Sequence, residues 1–333
     1  MEIGVKKRAM LYSGSSNPGL AEEIADHLGM RLGEVDLSRF ASGEVYVRFH
    51  DSTRGADVFV IQSHCEPVND MIMEQLIMID ALKRASAKRI NVVIPFYGYA
   101  RQDRKSLARE PISARLVADL LRVAGADRIL TVDLHSGQIQ GFFDGPVDHL
   151  TALPILAQYV SERYNENLVV VAPDAGRARH ASKYAHHLRA PIAVMQKSRR
   201  ADIRNSSSVL NVVGEVEGRR CLIVDDMIDT AGTLTNAVAA LLDQGATDVV
   251  AAATHGVFSP PAFERIESSA LKEVIVTNTL PQTRRSDKIT VLSIAPIVAA
   301  TVKAVFEDES VSEIFQGEHL EAIPPERRLD EDD

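Results

Sequence analysis

Residues 221–235 read CLIVDDMIDTAGTLT and contain the pattern that decides the fold. An apolar run over 221–224 leads into two adjacent carboxylates and then into a turn of small residues that opens a helix. The small side chains at 230–233 let backbone N–H groups approach a ligand, and a helix N-terminus supplies partial positive charge. This pattern predicts a phosphate-binding turn at the carboxyl end of a β-strand.

The two acids at the end of this strand point to a sugar. They lie where a sugar would be placed if its phosphate occupied the turn, and carboxylates accept hydrogen bonds from vicinal hydroxyls. The simpler alternative is an ordinary strand-to-helix turn with Asp229 or Thr230 as N-cap. Capping accounts for one polar residue but not for the two acids and the Thr-Ala-Gly-Thr run. The expected sugar-phosphate site comprises Asp225, Asp226, Asp229, Thr230, Ala231, Gly232 and Thr233.

Short β-branched runs alternate with amphipathic helical segments along the chain, for example helices over 71–84 and 113–123. This alternation is typical of βαβ units and predicts an α/β protein with a mainly parallel sheet flanked by helices. The candidate strands are 58–62, 90–95, 128–133, 168–172, 191–195, 221–224, 248–253 and 273–277.

An internal repeat and the length predict two domains. Residues 125–128 (GADR) and 245–248 (GATD) each follow a helical segment rich in alanine and leucine and each begin an apolar strand. A chain of 333 residues exceeds the usual size of one core. We expect similar domains over 1–149 and 150–316, followed by an acidic, proline-bearing and disordered tail over 317–333.

Composition narrows the class of protein. The net charge of −9 argues against a general nucleic-acid surface, because binding to a phosphate backbone needs excess basic residues. The basic start of the chain is not followed by an apolar run long enough for a signal peptide, and the longest uncharged apolar stretch, 289–302, is too short to span a bilayer. Cys65 and Cys221 have no neighbouring cysteine and are expected to be buried thiols. We expect a cytoplasmic protein that binds neither nucleic acid nor membrane.

The apolar-Asp-Asp strand end and its turn resemble the type I phosphoribosyltransferase fold. Residues 133–148, DLHSGQIQGFFDGPVD, are similar to the signature segment of ribose-phosphate pyrophosphokinases of class I, bacterial type. That resemblance implies two similar domains of this fold. It also implies that His135 contacts the Mg²⁺ of a bound nucleotide.

Two further segments resemble ATP contacts of the same family. Residues 97–105, YGYARQDRK, imply that Arg101, Gln102 and Asp103 bind ATP. Residues 40–44, FASGE, match contacts that the family supplies from a neighbouring subunit, which implies roles for Phe40, Ser42, Gly43 and Glu44. The family usually has an aspartate at the position of Ser42.

The remaining matches concern catalysis and metal binding. Residues 196–200, QKSRR, resemble a loop that closes over the reacting phosphates, which implies that Lys197 and Arg199 are catalytic and that Arg199 also binds ribose 5-phosphate. Asp174, in the 171–177 segment VAPDAGR, matches a second metal-associated residue, and an aspartate at a strand end can hold magnesium. Arg177 replaces a second glycine of the usual pattern.

Taken together, the resemblance implies transfer of the diphosphoryl group of Mg-ATP to ribose 5-phosphate, which forms phosphoribosyl pyrophosphate and AMP. Two alternatives stay open: a phosphoribosyltransferase that consumes this product, and a regulatory homologue without catalysis. The family also implies a homohexamer that responds to phosphate and ADP.

Overall fold

A computed structural model describes residues 7–164, 166–198 and 209–311. The first half of the chain forms a five-stranded parallel sheet in the order β1-β4-β5-β6-β7 and a separate antiparallel hairpin, β2–β3. The elements are β1 (Ala9–Ser13), α1 (Pro18–His27), β2 (Val35–Arg39), β3 (Val45–Phe49), β4 (Asp57–Ile61), α2 (Val68–Arg84), β5 (Arg89–Ile94), α3 (Ser113–Ala124), β6 (Arg128–Val132) and β7 (Val147–Leu150).

The second half forms a seven-stranded sheet in the order β10-β9-β8-β11-β12-β13-β14, in which only β9 and β10 pair antiparallel. Its elements are α4 (Leu153–Tyr164), β8 (Leu168–Ala172), α5 (Ala178–Leu188), β9 (Ile192–Ser198), β10 (Val209–Val213), β11 (Arg220–Ile228), α6 (Gly232–Asp243), β12 (Asp248–Gly256), α7 (Ala262–Ser268), β13 (Glu273–Thr277), β14 (Ile289–Leu292) and α8 (Ala295–Glu307).

The prediction of mainly parallel sheets flanked by helices is confirmed. β8 and β13 have the predicted bounds, and every residue of both strands is buried. β11 is longer than predicted, since it continues through both acids to Ile228 and pairs with β12 along this extension. The antiparallel hairpin was not predicted, and its strands alternate between half-buried and exposed side chains.

The two halves of the repeat have the same local structure. α3 ends at Ala124, and the φ of 126° at the following Gly125 lets the chain turn directly into β6. Gly245, with a φ of 86°, lies between α6 and β12. Such positive φ angles favour glycine, which explains why this residue recurs at the helix-to-strand turn.

One apolar core extends across both sheets. Leu20 and Ile24 of α1 belong to the same cluster of buried side chains as Val298 and Val302 of α8, and α1 packs against α8. The helices near the two ends of the described chain are therefore direct neighbours.

The structure agrees with the expectation of a buried thiol for one of the two cysteines. Cys221 is buried as predicted, whereas Cys65 is only half-buried, and neither forms a disulfide. No helix among the described residues is long and apolar enough to cross a membrane. The predicted tail over 317–333 lies outside the described residues.

Candidate active site

An open cavity of about 720 Å³ lies at the carboxyl ends of β8 and β11 and is also lined by residues that follow β6. In parallel sheets the residues that follow neighbouring strands meet at one edge, which brings together segments distant in sequence. The cavity is lined by residues from most of the predicted motifs: Arg101, Asp103, His135, Asp174, Asp225, Asp226, Asp229, Thr230, Ala231, Gly232 and Thr233.

The turn between β11 and α6 has the form expected of an anion site. α6 begins at Gly232, and the N-cap position is Ala231 in the left-handed region (φ 58°) with no side-chain cap. The alternative of an N-cap by Asp229 or Thr230 is therefore wrong. The first N–H groups of a helix have no intrahelical acceptor, so this end of α6 can bind a phosphate.

Arg265 of α7 stabilises this turn from behind. Its Nη1 donates to the carbonyl oxygen of Thr230 at 2.8 Å, and a Cβ added at Gly232 would lie only 3.1 Å from the same nitrogen. Since that carbonyl is bound on the α7 side, the backbone of the turn is held in one orientation.

The two acids are bound by one guanidinium. Arg177 Nε lies 2.9 Å from Asp225 Oδ1, and Arg177 Nη2 lies 2.6 Å from Asp226 Oδ1. The Asp226 side chain is 4% exposed, so its charge needs a partner. Arg177 supplies that partner from the loop that follows β8.

The environment separates the pKa values of the two acids. Burial raises the pKa of Asp225, and the neighbouring charge of Asp226 raises it further. For Asp226 burial acts in the same direction, but the hydrogen bond with His135 and the charge of Arg177 outweigh it and lower the pKa. Asp226 therefore loses its proton at lower pH than Asp225.

His135 contacts the same pair from the other half of the chain. Its Nδ1 lies 2.7 Å from Asp226 Oδ2 and 2.8 Å from Arg177 Nη2. A tautomer with a proton on Nδ1 donates to Asp226, which leaves Nε2 as the ring nitrogen for a ligand.

Asp133, just before this histidine, connects the two sheets. Its buried carboxylate accepts hydrogen bonds from Thr151 Oγ1 at 2.8 Å, from the backbone N–H of Ala152 at 2.8 Å and from Thr254 Oγ1 at 2.6 Å. Burial opposes ionisation of Asp133, but the charge of His180 and these hydrogen bonds keep its pKa below the ordinary value. The start of the 133–148 segment is thereby attached to β12.

Asp174 is available for a metal–nucleotide complex. It is exposed at the end of β8, and its Oδ1 accepts the backbone N–H of Arg177 at 3.0 Å. Within the described residues, no three His, Cys, Asp or Glu side chains are grouped to hold a metal by themselves. Mg²⁺ commonly binds through one or two carboxylates together with substrate phosphates and water, and Asp174 fits that mode.

Part of the 97–105 segment lines the cavity. Arg101 Nη1 lies 2.6 Å from Asp229 Oδ2, and Asp103 accepts a hydrogen bond from Gln138 Nε2 at 2.6 Å. Gln102 is not among the residues that line the cavity, and its side chain accepts from Ser113 Oγ at 2.6 Å.

The loop of the β2–β3 hairpin does not line the cavity within this single chain. Phe40 is 56% exposed and packs edge-to-face on Tyr46, and Gly43 has a φ of 91°. Ser42, the departure from the family pattern, donates from Oγ to Glu44 Oε2 at 2.7 Å.

Comparisons with known proteins agree with these motifs. A model for the N-terminal domain of ribose phosphate pyrophosphokinase matches residues 9–125, and a model for a phosphoribosyl synthetase-associated domain matches residues 200–316. The ribose-phosphate pyrophosphokinase of Streptomyces coelicolor is 56% identical over 93% of this chain and 97% of its own length. The chain belongs to the ribose-phosphate pyrophosphokinase family. The Mycobacterium leprae enzyme of that name is 56% identical over 94% of this chain and 97% of its own length.

A solved structure shows the same architecture for the family. Phosphoribosylpyrophosphate synthetase from Mycobacterium smegmatis is 54% identical and superposes with a TM-score of 0.86 over 91% of this chain and all of the other. The expectations of a two-domain phosphoribosyltransferase-type fold and of a ribose-phosphate pyrophosphokinase enzyme are confirmed.

Two catalytic candidates of this pyrophosphokinase are only partly covered by the structure. Lys197 lies near the end of β9, but its side chain lies outside the described part of the chain, and Arg199 lies outside it altogether. β9 pairs parallel with β8, so the carboxyl end of β9, which contains Lys197, lies at the same edge of the sheet as Asp174.

Sequence reasoning missed several residues that line the cavity of this family member. Five of them lie inside the quoted motifs and Ser106 lies one residue beyond the 97–105 segment, but none was assigned a role: Arg104, Ser136, Gln138, Gly176 and Met227 are the other five. Arg177 was noted only as a departure from a glycine. Its position three residues after Asp174 was the available signal, because a basic residue in a strand-end loop can reach acids on the next strand.

Proposed function

We propose that the chain transfers the diphosphoryl group of Mg-ATP to the anomeric hydroxyl of ribose 5-phosphate, with phosphoribosyl pyrophosphate and AMP as products. The observation that carries this proposal is the phosphate-type turn next to the Asp225–Asp226 pair, in a cavity that Arg101 also lines. Membership of the pyrophosphokinase family supports the same reaction.

In this proposal the sugar phosphate binds to the backbone of 229–233 and the sugar hydroxyls donate to Asp225 and Asp226. The uncapped N-terminus of α6 favours the anion, and the neighbouring carboxylates favour hydroxyl donors over a second anion. The C1 hydroxyl would then face the open part of the cavity.

ATP would bind on the side of Arg101, Gln102 and Asp103. Arg101 is 57% exposed and its partner Asp229 belongs to the proposed phosphate turn, so its guanidinium is accessible and can turn to nucleotide phosphate. Phe40, Ser42, Gly43 and Glu44 would complete the nucleotide site from a second copy of the chain, because they do not line the cavity of their own copy.

His135 and Asp174 would hold Mg²⁺ with the ATP phosphates. The bound ion would supply neutralisation of charge on the phosphoryl oxygens. The anomeric oxygen attacks the β-phosphorus, its proton passes to solvent water, and the bond to the bridging α,β-oxygen breaks, so that AMP leaves with the electron pair. Lys197 and Arg199 would stabilise charge on the transferred group.

A direct assay tests the reaction. Purified protein with ATP, Mg²⁺ and ribose 5-phosphate should form equimolar AMP and phosphoribosyl pyrophosphate, seen as new signals by ³¹P NMR. Asp226→Asn should raise KM for ribose 5-phosphate, whereas Asp243→Asn, an exposed acid at the end of α6, should not. Absence of AMP, with consumption of phosphoribosyl pyrophosphate when a nucleobase is added, would instead support a phosphoribosyltransferase. No reaction in either assay would support the regulatory homologue.

The assembly and regulation implied by the family are also proposals. We propose a cytoplasmic homohexamer that responds to phosphate and ADP, with each hairpin completing a neighbour's ATP site. Sedimentation velocity should give six copies, and titration of phosphate and ADP in the AMP assay should change the rate. A fully active monomer would contradict the shared site.

A further inference from the structure

Arg177 has more polar contacts in the cavity than its place in the sequence suggested. It lies in the loop that joins β8 to α5 and its side chain is 18% exposed. A residue with so little exposure is not a solvated surface charge, and its partners must account for its position.

Its contacts join both halves of the chain. Nε binds Asp225, and Nη2 binds Asp226 at 2.6 Å and approaches His135 Nδ1 at 2.8 Å. Nη1 is 3.4 Å from the carbonyl oxygen of His135. A planar guanidinium can donate to both acids and to this carbonyl oxygen at once, whereas a lysine ammonium on a flexible stem cannot do so in the same geometry.

We infer that Arg177 is a positioning residue for the proposed reaction. It holds Asp225 and Asp226 toward the sugar hydroxyls and fixes their position relative to His135. This inference rests on the proposed binding of ribose 5-phosphate at the same acids. It assigns to Arg177 a role in sugar recognition and not in the transfer step.

The distribution of contacts on Asp225 supports this role. Arg177 Nε and the backbone N–H of Asp226 both bind Oδ1 of Asp225, at 2.9 and 2.8 Å. The contacts therefore converge on one oxygen of that carboxylate, and Oδ2 is the atom left to accept from a sugar hydroxyl. Without Arg177 the carboxylate can rotate and the hydroxyl loses a fixed acceptor.

Three variants test the inference by steady-state kinetics with each substrate varied in turn. Arg177→Gln should raise KM for ribose 5-phosphate on the order of 10- to 100-fold, the cost of losing charged hydrogen bonds, and change KM for ATP less than about threefold. Arg177→Lys should recover part of the loss, since it keeps the charge. Arg189→Gln, an exposed arginine beyond the other end of α5, should match the wild type.

A substrate that lacks one hydroxyl distinguishes a specific loss of sugar recognition from a general loosening of the site. In the wild type, kcat/KM should favour ribose 5-phosphate over 2-deoxyribose 5-phosphate, and Arg177→Gln should reduce that preference at least about fivefold. An unchanged preference, an unchanged KM for ribose 5-phosphate, or an equal rise in both KM values would each overturn the inference. If Arg177→Gln does not fold, Arg177→Lys decides, and a KM within twofold of the wild type overturns it.

Calorimetric titration of ribose 5-phosphate without nucleotide separates this inference from the proposed function. A wild type that binds the sugar but forms no AMP contradicts the proposed reaction alone. Equal Kd values for the wild type and Arg177→Gln contradict the role of Arg177 alone.

Discussion

Arg101 Nη1 lies 2.6 Å from Asp229 Oδ2, so an ion pair connects the proposed ATP segment with the proposed phosphate turn. The two side chains come from different halves of the chain and are 57% and 23% exposed. At such exposure an ion pair contributes little to stability, and its importance should lie in substrate binding.

Replacement of Arg101 should separate these two effects. Arg101→Gln should change the free energy of unfolding by less than about 1 kcal/mol and raise KM for ATP about 10-fold, because a charged hydrogen bond to phosphate is lost. Denaturant titration and the AMP assay measure the two quantities. Arg115→Gln removes an exposed ion pair with Asp119 on α3. It should also change the free energy of unfolding by less than about 1 kcal/mol, and it should leave KM for ATP unchanged. A large loss of stability in Arg101→Gln would show that the pair is structural.

Replacement of Lys197 should affect turnover. Lys197→Ala should lower kcat at least about 100-fold, the order expected when one stabilising charge is removed from a transition state, with a much smaller change in KM for ribose 5-phosphate. Lys303→Ala, on the exposed face of α8, serves as the charge control. Unchanged turnover would remove Lys197 from the mechanism.

The hydrogen bond between Thr254 and Asp133 should make a measurable contribution to the free energy of unfolding. Thr254→Val leaves a buried carboxylate with one donor fewer and should cost on the order of 2 kcal/mol in free energy of unfolding. Thr301→Val is the matched control, because that hydroxyl donates only to the carbonyl oxygen of Ile297 in its own helix. Equal effects in the two variants, measured in urea, would argue against a special role for Asp133.

Acid should destabilise the protein through His64. Complete burial lowers the pKa of this histidine to about 4, against the opposing hydrogen bond to Gln75. Between pH 4 and 6.5 the unfolded chain binds a proton that the folded chain does not, so stability falls as the pH falls through this range. In His64→Asn the slope of unfolding free energy against pH should decrease by about 1.4 kcal/mol per pH unit. An unchanged slope in urea titrations at pH 4.5–6 would contradict this account.

Local patterns were sufficient for most of the fold and for the turn that joins β11 to α6. Apolar runs such as Leu168–Ala172 have few alternatives to a buried strand, and the acids that follow Val224 are contiguous in sequence. The contacts of Arg177 with His135 and Asp226 and of Asp133 with Thr254 could not be found in this way, because the partners lie 42, 49 and 121 residues apart in sequence and meet only when the strands align. The β2–β3 hairpin was missed because its half-exposed strands lack a continuous apolar run.

The packing of α1 against α8 ties the beginning of the described chain to its end. Neither half can expose its face of that contact without disturbing the other, so heating should produce a single calorimetric endotherm and not one for each sheet. A protease cut between β7 and α4 should accordingly leave two fragments that elute together from a sizing column.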